Sequence, residues 1–259
     1  MSVQKSWAEL EKMHRACGIV VETLAALAEA AAPGATTRDL DRIAQERIRK
    51  AGAKPAFLGY RGYPATLCIS VNEEVVHGIP GPRRLREGDV VGLDLGCVVD
   101  GFFGDSARTI GIGRTSEEAQ RLMRVTEEAL HAGIAQCRPQ CRVGDIGHAV
   151  QRHAESHGYS VVRDFVGHGI GTSLHEEPQV PNYGPPGRRE RLVPGMCLAI
   201  EPMVNVGGPE VRMLEDGWTA VTVDRSLSAH FELSVAITPD GPWILSEPYP
   251  YPQSRAAHA

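Results

Sequence analysis

A carboxylate lies inside the most apolar segment of the chain. Residues 90–109 read VVGLDLGCVVDGFFGDSART, and Asp94 interrupts an apolar run of the kind typical of a strand buried on both faces. A carboxylate in such a strand is unfavourable unless it is paired with a cation or bound to a metal ion. The chain must therefore fold so that a suitable partner reaches Asp94.

The dipeptide Asp100-Gly101 predicts the turn of a β-hairpin within this segment. With these two residues at the centre of the turn, Asp94 faces residue 107. In the same register, residue 96 faces Asp105. The two aspartates are then diagonal neighbours on one face of the sheet, with backbones about 7–8 Å apart. A register shift of one residue would move one of them to the other face.

Two further carboxylates occupy predicted strands in the second half of the chain. Glu201 interrupts GMCLAIEPMV, and Glu232 lies on the polar face of HFELSVAI. Taken alone, Asp105 is equally compatible with a turn, and Glu232 with a solvent-facing position. Four clustered carboxylates repel one another unless cations are bound, and two divalent ions would balance their charge. We therefore predict a site for two divalent ions, with His168 as a neutral nitrogen ligand.

The ligand types, the composition and the motifs indicate which metal ions, compartment and function classes fit this chain. An oxygen-rich ligand set favours Mn, Fe or Co over a thiolate-bound zinc. The six cysteines form no CxxC pair, which predicts reduced thiols in a cytoplasmic protein. A net charge of −5 does not indicate nucleic-acid binding. The sequence contains no uncharged apolar stretch of about 18 residues, so it predicts no membrane span. The GxSxG, HExxH and P-loop motifs are missing from the sequence.

Helical and strand patterns alternate twice along the chain. The predicted helices cover 6–31, 37–51, 116–136 and 143–158, and each pair is followed by strands. Thr36 or Thr37 is a candidate N-cap. CISVNEEVVHGIP is predicted as one strand that runs into a turn. The order indicates one α+β domain over residues 1–247, made of two similar halves, with a loose tail over residues 248–259.

The ordered ligand set resembles the dinuclear metal site of type I methionine aminopeptidases, in their short bacterial-type form. The segments that carry the resemblance are GYRGYPATLCISVNEEVVHGIP, GDVVGLDLG, DGFFGD, GHGIGTSLHEEPQVPNYG, PGMCLAIEPMV and DGWTAVTVDRSLSAHFE. The resemblance implies the pita-bread fold of creatinases and aminopeptidases, in which two pseudo-symmetric αβ halves surround a curved antiparallel sheet. It also implies that Asp94 chelates one ion, that Asp105 and Glu232 bridge both ions, and that His168 and Glu201 hold the other.

The same resemblance implies a mechanism and a substrate. A hydroxide activated by two divalent ions (Co, Mn, Fe or Zn) would attack the first peptide bond and remove an N-terminal methionine that precedes a small residue. Glu201 would carry the proton, while His77 and His175 would contact the substrate. The residues expected to line the substrate site are Phe57, Tyr60, Tyr63, Cys68, His77, Leu174, His175 and Trp218. Glu176 and Glu177 are expected to be loop groups, or groups that support the ligands, rather than ligands themselves.

The resemblance also sets expectations about partners, and two alternative functions have to be weighed against it. It implies a cytoplasmic monomer that acts on nascent chains, in transient contact with the ribosome. The chain departs from the family pattern at Phe103, Leu174 and Leu233-Ser234, and these departures are expected to affect the rate, the metal preference or the pocket shape. Two alternatives stay open: a proline-directed aminopeptidase or prolidase of the same fold, which usually carries a large N-terminal domain, and a non-catalytic binding module, which usually lacks some of the ligands.

Overall fold

Four α-helices and fifteen strands make up residues 4–247, the part of the chain that the computed structural model describes. The helices are α1 (Trp7–Ala30), α2 (Thr37–Lys50), α3 (Glu117–Ile134) and α4 (Val143–Ser156), with one 3-10 turn at Tyr60–Gly62. The four predicted helices are confirmed. The predicted tail at 248–259 lies outside the described residues. Within 4–247, no helix combines the length and the hydrophobicity that crossing a bilayer requires.

Thr36 is the N-cap residue of α2, one of the two candidates predicted from the sequence. Its hydroxyl accepts a hydrogen bond from the backbone N–H of Asp39 at 3.1 Å, and the Asp39 carboxylate accepts one from the N–H of Thr36. This reciprocal pair satisfies two N–H groups that have no partner within the helix. The short polar segment between α1 and α2 therefore has a defined structural role.

The strands divide between the two halves of the chain. The first half contains β1 (Lys54–Pro55), β2 (Leu67–Val71), β3 (Glu74–Val76), β4 (Val90–Val99) and β5 (Phe102–Gly111). The second half contains β6 (Ser160–Val161), β7 (Gly167–Gly169), β8 (Glu176–Val180), β9 (Cys197–Ile200), β10 (Met203–Asn205), β11 (Val211–Met213), β12 (Ala220–Thr222), β13 (Ser228–His230), β14 (Glu232–Thr238) and β15 (Gly241–Ile244).

One predicted strand is wrong in detail. CISVNEEVVHGIP forms two strands, because Asn72 has a left-handed backbone with φ of 61° and turns the chain between β2 and β3. The Asn72 side chain accepts a hydrogen bond from the N–H of Val90 and donates one to Asp89. These contacts fix the start of β4 against the turn.

The β4–β5 hairpin has the predicted register. Asp94 pairs with Ala107, and Gly96 pairs with Asp105. Asp100 and Gly101 form the turn with φ of 51° and 81°, which matches the twist of two antiparallel strands. The turn chemistry thus determines which face of the sheet receives the carboxylates.

A nine-stranded antiparallel sheet joins the two halves. Its strand order is β1-β4-β5-β14-β9-β7-β8, with β2 against β4 and β15 against β14. The halves meet where β5 pairs with β14, at Glu232 opposite Ala107 and Leu233 opposite Ser106. The smaller sheets have the orders β13-β10-β6 and β11-β12-β3.

The helices cover one face of the large sheet. In the first half, Leu93, Leu95 and Cys97 of β4 pack in one hydrophobic cluster with residues of α1 and α2. In the second half, Val235 of β14 packs with residues of α3 and α4. Because successive side chains of a strand alternate between faces, Asp94 points to the face opposite α1 and α2.

Candidate metal centre and substrate cavity

Three predicted ligands emerge from one face of the large sheet. Ala107 pairs with both Asp94 and Glu232, and Gly96 pairs with Asp105. Residues paired directly across neighbouring strands point to the same face. The three carboxylates therefore converge on the side of the sheet that the helices leave uncovered.

His168 and Glu201 reach this face from the second half. His168 pairs with Ala199, and Ala199 pairs with Ser234, two residues beyond Glu232. Nε2 of His168 lies 3.5 Å from Oε1 of Glu201. The sequence predicts Glu201 inside a strand, but β9 ends one residue before it. The backbone of Glu201 therefore lies just beyond the paired part of β9, where its carboxylate turns toward the cluster.

The side chains offer an arrangement that fits a divalent cation. Asp105, His168 and Glu232 are 4%, 7% and 2% exposed, and one ligand atom from each lies within 4.8 Å of the others. Nδ1 of His168 donates to the carbonyl oxygen of Gly169 at 2.9 Å, which leaves Nε2 as the ligand nitrogen. Within residues 4–247, the buried atoms Oδ1 of Asp94, Oδ1 of Asp105 and Oε1 of Glu232 have no hydrogen-bond partner. Hard oxygen atoms of this kind are ligands for divalent cations.

Burial is the main cause of the shifted pKa values in this cluster. The pKa of Asp94 rises to about 7, and those of Asp105, Glu201 and Glu232 rise well above their ordinary values. Repulsion between neighbouring carboxylates adds to the effect at Asp105. The pKa of His168 falls to about 4, first through burial, so its imidazole is neutral near pH 7 and can bind a metal. Only bound cations would allow all four carboxyl groups to ionise there.

One cavity of about 170 Å³ joins the cluster to an apolar pocket. A void of about 150 Å³ holds a benzene-sized group, so the cavity is large enough for one side chain. Every site residue predicted from the sequence lines it: Phe57, Tyr60, Tyr63, Cys68, His77, Asp94, Asp105, His168, Leu174, His175, Glu201, Trp218 and Glu232. The structure thus brings these residues together, while their individual roles stay predictions.

The apolar pocket is built from buried side chains beside the carboxylates. They are Phe57, Tyr63, Cys68 and Leu174. Cys68 pairs with Asp94 across β2 and β4, so its thiol lies on the same face as the carboxylate cluster. The Tyr63 hydroxyl donates toward backbone carbonyl oxygens, the nearer being that of Gly78 at 2.8 Å, and its ring meets Trp218 edge-on at 5.1 Å between centroids. These contacts hold the aromatic wall in place.

Two histidines border the cavity without joining the compact ligand group. His77 has a left-handed backbone with φ of 61°, and its ring lies edge-on to Phe165 and Trp218. Burial, followed by the charge of His175, lowers the pKa of His77 to about 4. The ring centroids of His175 and His168 are 4.2 Å apart. Nδ1 of His175 is 2.8 Å from the hydroxyl oxygen of Tyr60.

Glu176 orders the loop between His168 and His175. Its Oε2 lies 2.6 Å from Nζ of Lys5, and its Oε1 accepts a hydrogen bond from the backbone N–H of Thr172 at 2.8 Å. The structure places Glu176 and Glu177 at the start of β8 rather than in a loop, and Glu176 supports the preceding loop through these contacts. A lysine from the start of the described chain therefore supports the loop that carries two cavity residues.

Two residues near the site escaped the sequence analysis. Arg61 lines the cavity mouth from the 3-10 turn, with its guanidinium carbon 5.4 Å from the Tyr60 ring centroid. His230 is buried, and its Nε2 lies 3.7 Å from Oε2 of Glu201. Burial, followed by the charge of His77, lowers the pKa of His230 to about 3. Its position two residues before Glu232 in the alternating sequence pattern HFELSVAI was the available signal.

Comparison with solved structures supports the expected fold. A crystal structure of methionine aminopeptidase from Thermotoga maritima matches with a TM-score of 0.94 and 47% identity, covering 95% of this chain and all of the other. A prolidase from Pyrococcus horikoshii matches with a TM-score of 0.78 but only 22% identity, and 64% of its chain is covered. The second match shows a shared fold alone, and together the two confirm the pita-bread architecture.

Sequence comparison is more specific. The profile of metallopeptidase family M24 matches residues 11–239. The methionine aminopeptidase of Clostridium perfringens is 52% identical over 246 residues, which cover 95% of this chain and 99% of the other. Methionine aminopeptidase 1 of Bacillus subtilis is 48% identical over a matching share of both chains. The chain therefore belongs to metallopeptidase family M24 and, within it, to the methionine aminopeptidases.

Proposed function

We propose that the protein removes the N-terminal methionine from peptides and nascent chains when the next residue is small. The observation that carries this proposal is a single cavity with the carboxylate cluster at one end and the apolar pocket at the other. A peptide whose first side chain fills the pocket would present its first peptide bond to the carboxylates. The side-chain-sized cavity favours the release of one residue at a time.

We infer two divalent ions, because four ionised carboxylates carry four negative charges. Asp94 would hold one ion, His168 and Glu201 the other, and Asp105 and Glu232 would bridge them. The oxygen-rich donor set favours Mn, Fe or Co and is also compatible with Zn. Bound ions of this kind lower the pKa of water and so supply hydroxide near neutral pH.

The side chains of the protein would carry the remaining steps. The Glu201 carboxylate would accept a proton from the nucleophile and release it to the departing amine. Nε2 of His175 would donate a hydrogen bond to the oxygen of the attacked carbonyl as negative charge develops there. This role requires the His175 tautomer in which the Tyr60 hydroxyl donates to Nδ1. His77 would contact the bound peptide from the part of the cavity wall where its ring packs against Trp218.

The pocket suits a thioether side chain. Methionine is unbranched and flexible, and its sulfur makes favourable contacts with aromatic rings. Phe57, Tyr63 and Trp218 provide such rings, and Cys68 adds a polarisable sulfur. Branched or charged side chains would have to displace these buried groups.

We also propose where the protein acts and how it is assembled. Residues 1–247 would form one catalytic domain, which acts as a monomer in the cytoplasm. All six cysteines lie in the described part of the chain and are unpaired, as expected in a reducing compartment. A transient contact with the ribosome would bring the cavity to nascent chains.

The test is cleavage of Met-Ala-Ser by protein reconstituted with Mn or Co, with an Xaa-Pro dipeptide as the matched control substrate. We expect metal-dependent release of methionine and little cleavage of the control. Equal or faster cleavage of the Xaa-Pro peptide would assign the protein to the proline-directed peptidases that share its fold.

A further inference from the structure

A second group of metal-binding side chains lies outside the cavity, where α3 packs against α4. Glu128 of α3, His153 of α4 and His157, which caps α4, each place one ligand atom within 4.8 Å of the other two. We call these three residues the interhelical cluster. We propose that the interhelical cluster binds one divalent transition-metal ion of the zinc class and thereby ties α3 to α4.

The geometry of the cluster favours shared coordination. A spacing of four residues places His153 and His157 on one side of the helix end, with ring centroids 4.6 Å apart. Nε2 of His153 lies 3.1 Å from Oε2 of Glu128. Nδ1 of His157 donates to the carbonyl oxygen of His153 at 2.8 Å, which leaves Nε2 of His157 to bind a metal. A backbone carbonyl in this position is a usual support for a metal-binding histidine.

The end of α4 and the Glu128 carboxylate attract a cation. The C-terminal end of α4 carries a partial negative charge, and the carboxylate of Glu128 adds a full one. Two arginines border the cluster and contact two of its residues, Glu128 and His157, so their positive charge opposes that of a bound ion. Nε of Arg124 lies 4.0 Å from Oε1 of Glu128, the oxygen that does not face His153. Arg121 donates to the carbonyl oxygen of His157 at 2.9 Å. The Arg124–Glu128 pair is exposed and is expected to contribute little to stability.

The donor set distinguishes this cluster from the cavity. Two imidazole nitrogens and one carboxylate oxygen form a three-ligand set of the kind that binds zinc, with a fourth position for water. Imidazole ligands suit Zn, Ni and Cu, whereas the oxygen-rich cavity favours harder ions. Glu128 is exposed and both histidines are partly exposed, so an ion can enter from solvent. The protein should therefore bind zinc at the interhelical cluster while manganese occupies the cavity.

The experiment measures zinc bound to manganese-loaded protein after equilibrium dialysis, by elemental analysis. Wild type is compared with Glu128→Gln, His153→Gln and His157→Gln. His148→Gln is the matched control, because it removes an imidazole from α4 outside the cluster. At the same free zinc concentration, we expect wild type and His148→Gln to bind one more zinc per chain than the cluster variants. Each cluster variant should lose affinity by roughly tenfold or more, as changes around a metal site do.

Thermal unfolding provides a second readout that does not depend on catalysis. An ion that binds only the folded protein raises the melting temperature, so zinc should stabilise wild type and His148→Gln more than the cluster variants. Zinc exchange in the cavity would affect all five proteins alike and so does not alter this comparison. Equal stoichiometry, affinity and melting shifts in all five proteins would overturn the proposal. An equal loss in His148→Gln would overturn it as well.

Discussion

The hydroxyl group of Tyr60 lies 2.8 Å from Nδ1 of His175 and joins the turn before β2 to the loop after β7. The two rings are 5.3 Å apart between centroids, so they also pack against each other. When the hydroxyl donates to Nδ1, the ring proton lies on Nε2. This hydrogen bond would hold His175 in the tautomer that the proposed oxyanion contact requires.

Tyr60→Phe removes the hydroxyl and keeps the ring. Because a neutral hydrogen bond contributes about 1 kcal/mol, we expect kcat for Met-Ala-Ser to fall by about fivefold. KM and metal content should stay near the wild-type values, since the aromatic wall and the ligands are unchanged. Steady-state kinetics of protein with a measured metal content checks this outcome.

Tyr63→Phe is the matched control. Its hydroxyl lies near the backbone carbonyl oxygens of Leu67 and Gly78 rather than near a histidine. We expect this variant to lower the free energy of unfolding and to change kcat less than Tyr60→Phe does. An unchanged kcat in Tyr60→Phe would show that Tyr60 does not set the His175 tautomer.

Asp105→Asn should have opposite effects with and without metal. The substitution keeps the side-chain shape and removes a carboxylate that repels its neighbours, so in chelator the variant should be as stable as wild type or slightly more stable. With Mn or Co added, wild type should gain more stability, because ion binding favours the folded state. Melting temperatures of both proteins under both conditions test the prediction. Equal metal-induced shifts would show that Asp105 does not bind the ions.

The buried pair of Lys5 and Glu176 should couple stability to catalysis. Their side chains are only 3% and 12% exposed, and the charged atoms are 2.6 Å apart. Glu176→Gln leaves the Lys5 ammonium buried without its counter-charge, which we expect to cost about 3 kcal/mol of unfolding free energy. The loop that carries His175 should loosen, and kcat should fall while the cavity retains its metal.

A double-mutant cycle isolates this pair. Lys5→Met combined with Glu176→Gln removes both charges, so the double variant should be more stable than the sum of the single losses predicts. Urea unfolding of the four proteins measures the coupling energy. Strictly additive losses would mean that the two charges do not interact, despite their distance.

Asp224 should make the loop between β12 and β13 sensitive to acid. Hydrogen bonds from Ser226, and then from the N–H of Gly208, lower the pKa of Asp224 to about 2, below its ordinary value of 3.8. Because the folded-state pKa is the lower one, the contribution of Asp224 is complete above about pH 4 and is lost as pH falls toward 2. Unfolding free energy should therefore fall more steeply over this range in wild type than in Asp224→Asn. Parallel pH profiles would contradict the assignment.

Local signals were sufficient to predict the hairpin and two of its ligands. Asp100-Gly101 determines the β4–β5 register through local turn geometry, and that register places Asp94 and Asp105 on one face. The junction of the halves is different, because nothing local to Glu232 indicates that it pairs with Ala107. The contact joins strands separated by nearly half the chain. The sequence relates Glu232 to Asp94 and Asp105 only through the need of buried carboxylates for shared cations and through the resemblance to a known family.

The residues that were missed had no distinctive local pattern. Arg61 has φ of 50° in a turn between glycines, where sequence indicates a loop but not which cavity it borders. His230 alternates with Glu232, yet its approach to Glu201 depends on where β9 ends and β10 begins. The sequence predicts Asn72 inside a strand. Its left-handed backbone depends on contacts with Asp89 and Val90, which lie further along the chain, so no local pattern indicates the turn.

The pairing of β5 with β14 has a consequence for a chain during synthesis. Until β14 emerges from the ribosome, the hairpin presents Asp94 and Asp105 without Glu232 and without the strand that closes the sheet beside them. Such long-range contacts form late, because a large loop must close before they become favourable. Metal uptake would therefore mark the moment at which both halves have docked, and the ions would stabilise finished molecules selectively over incomplete ones.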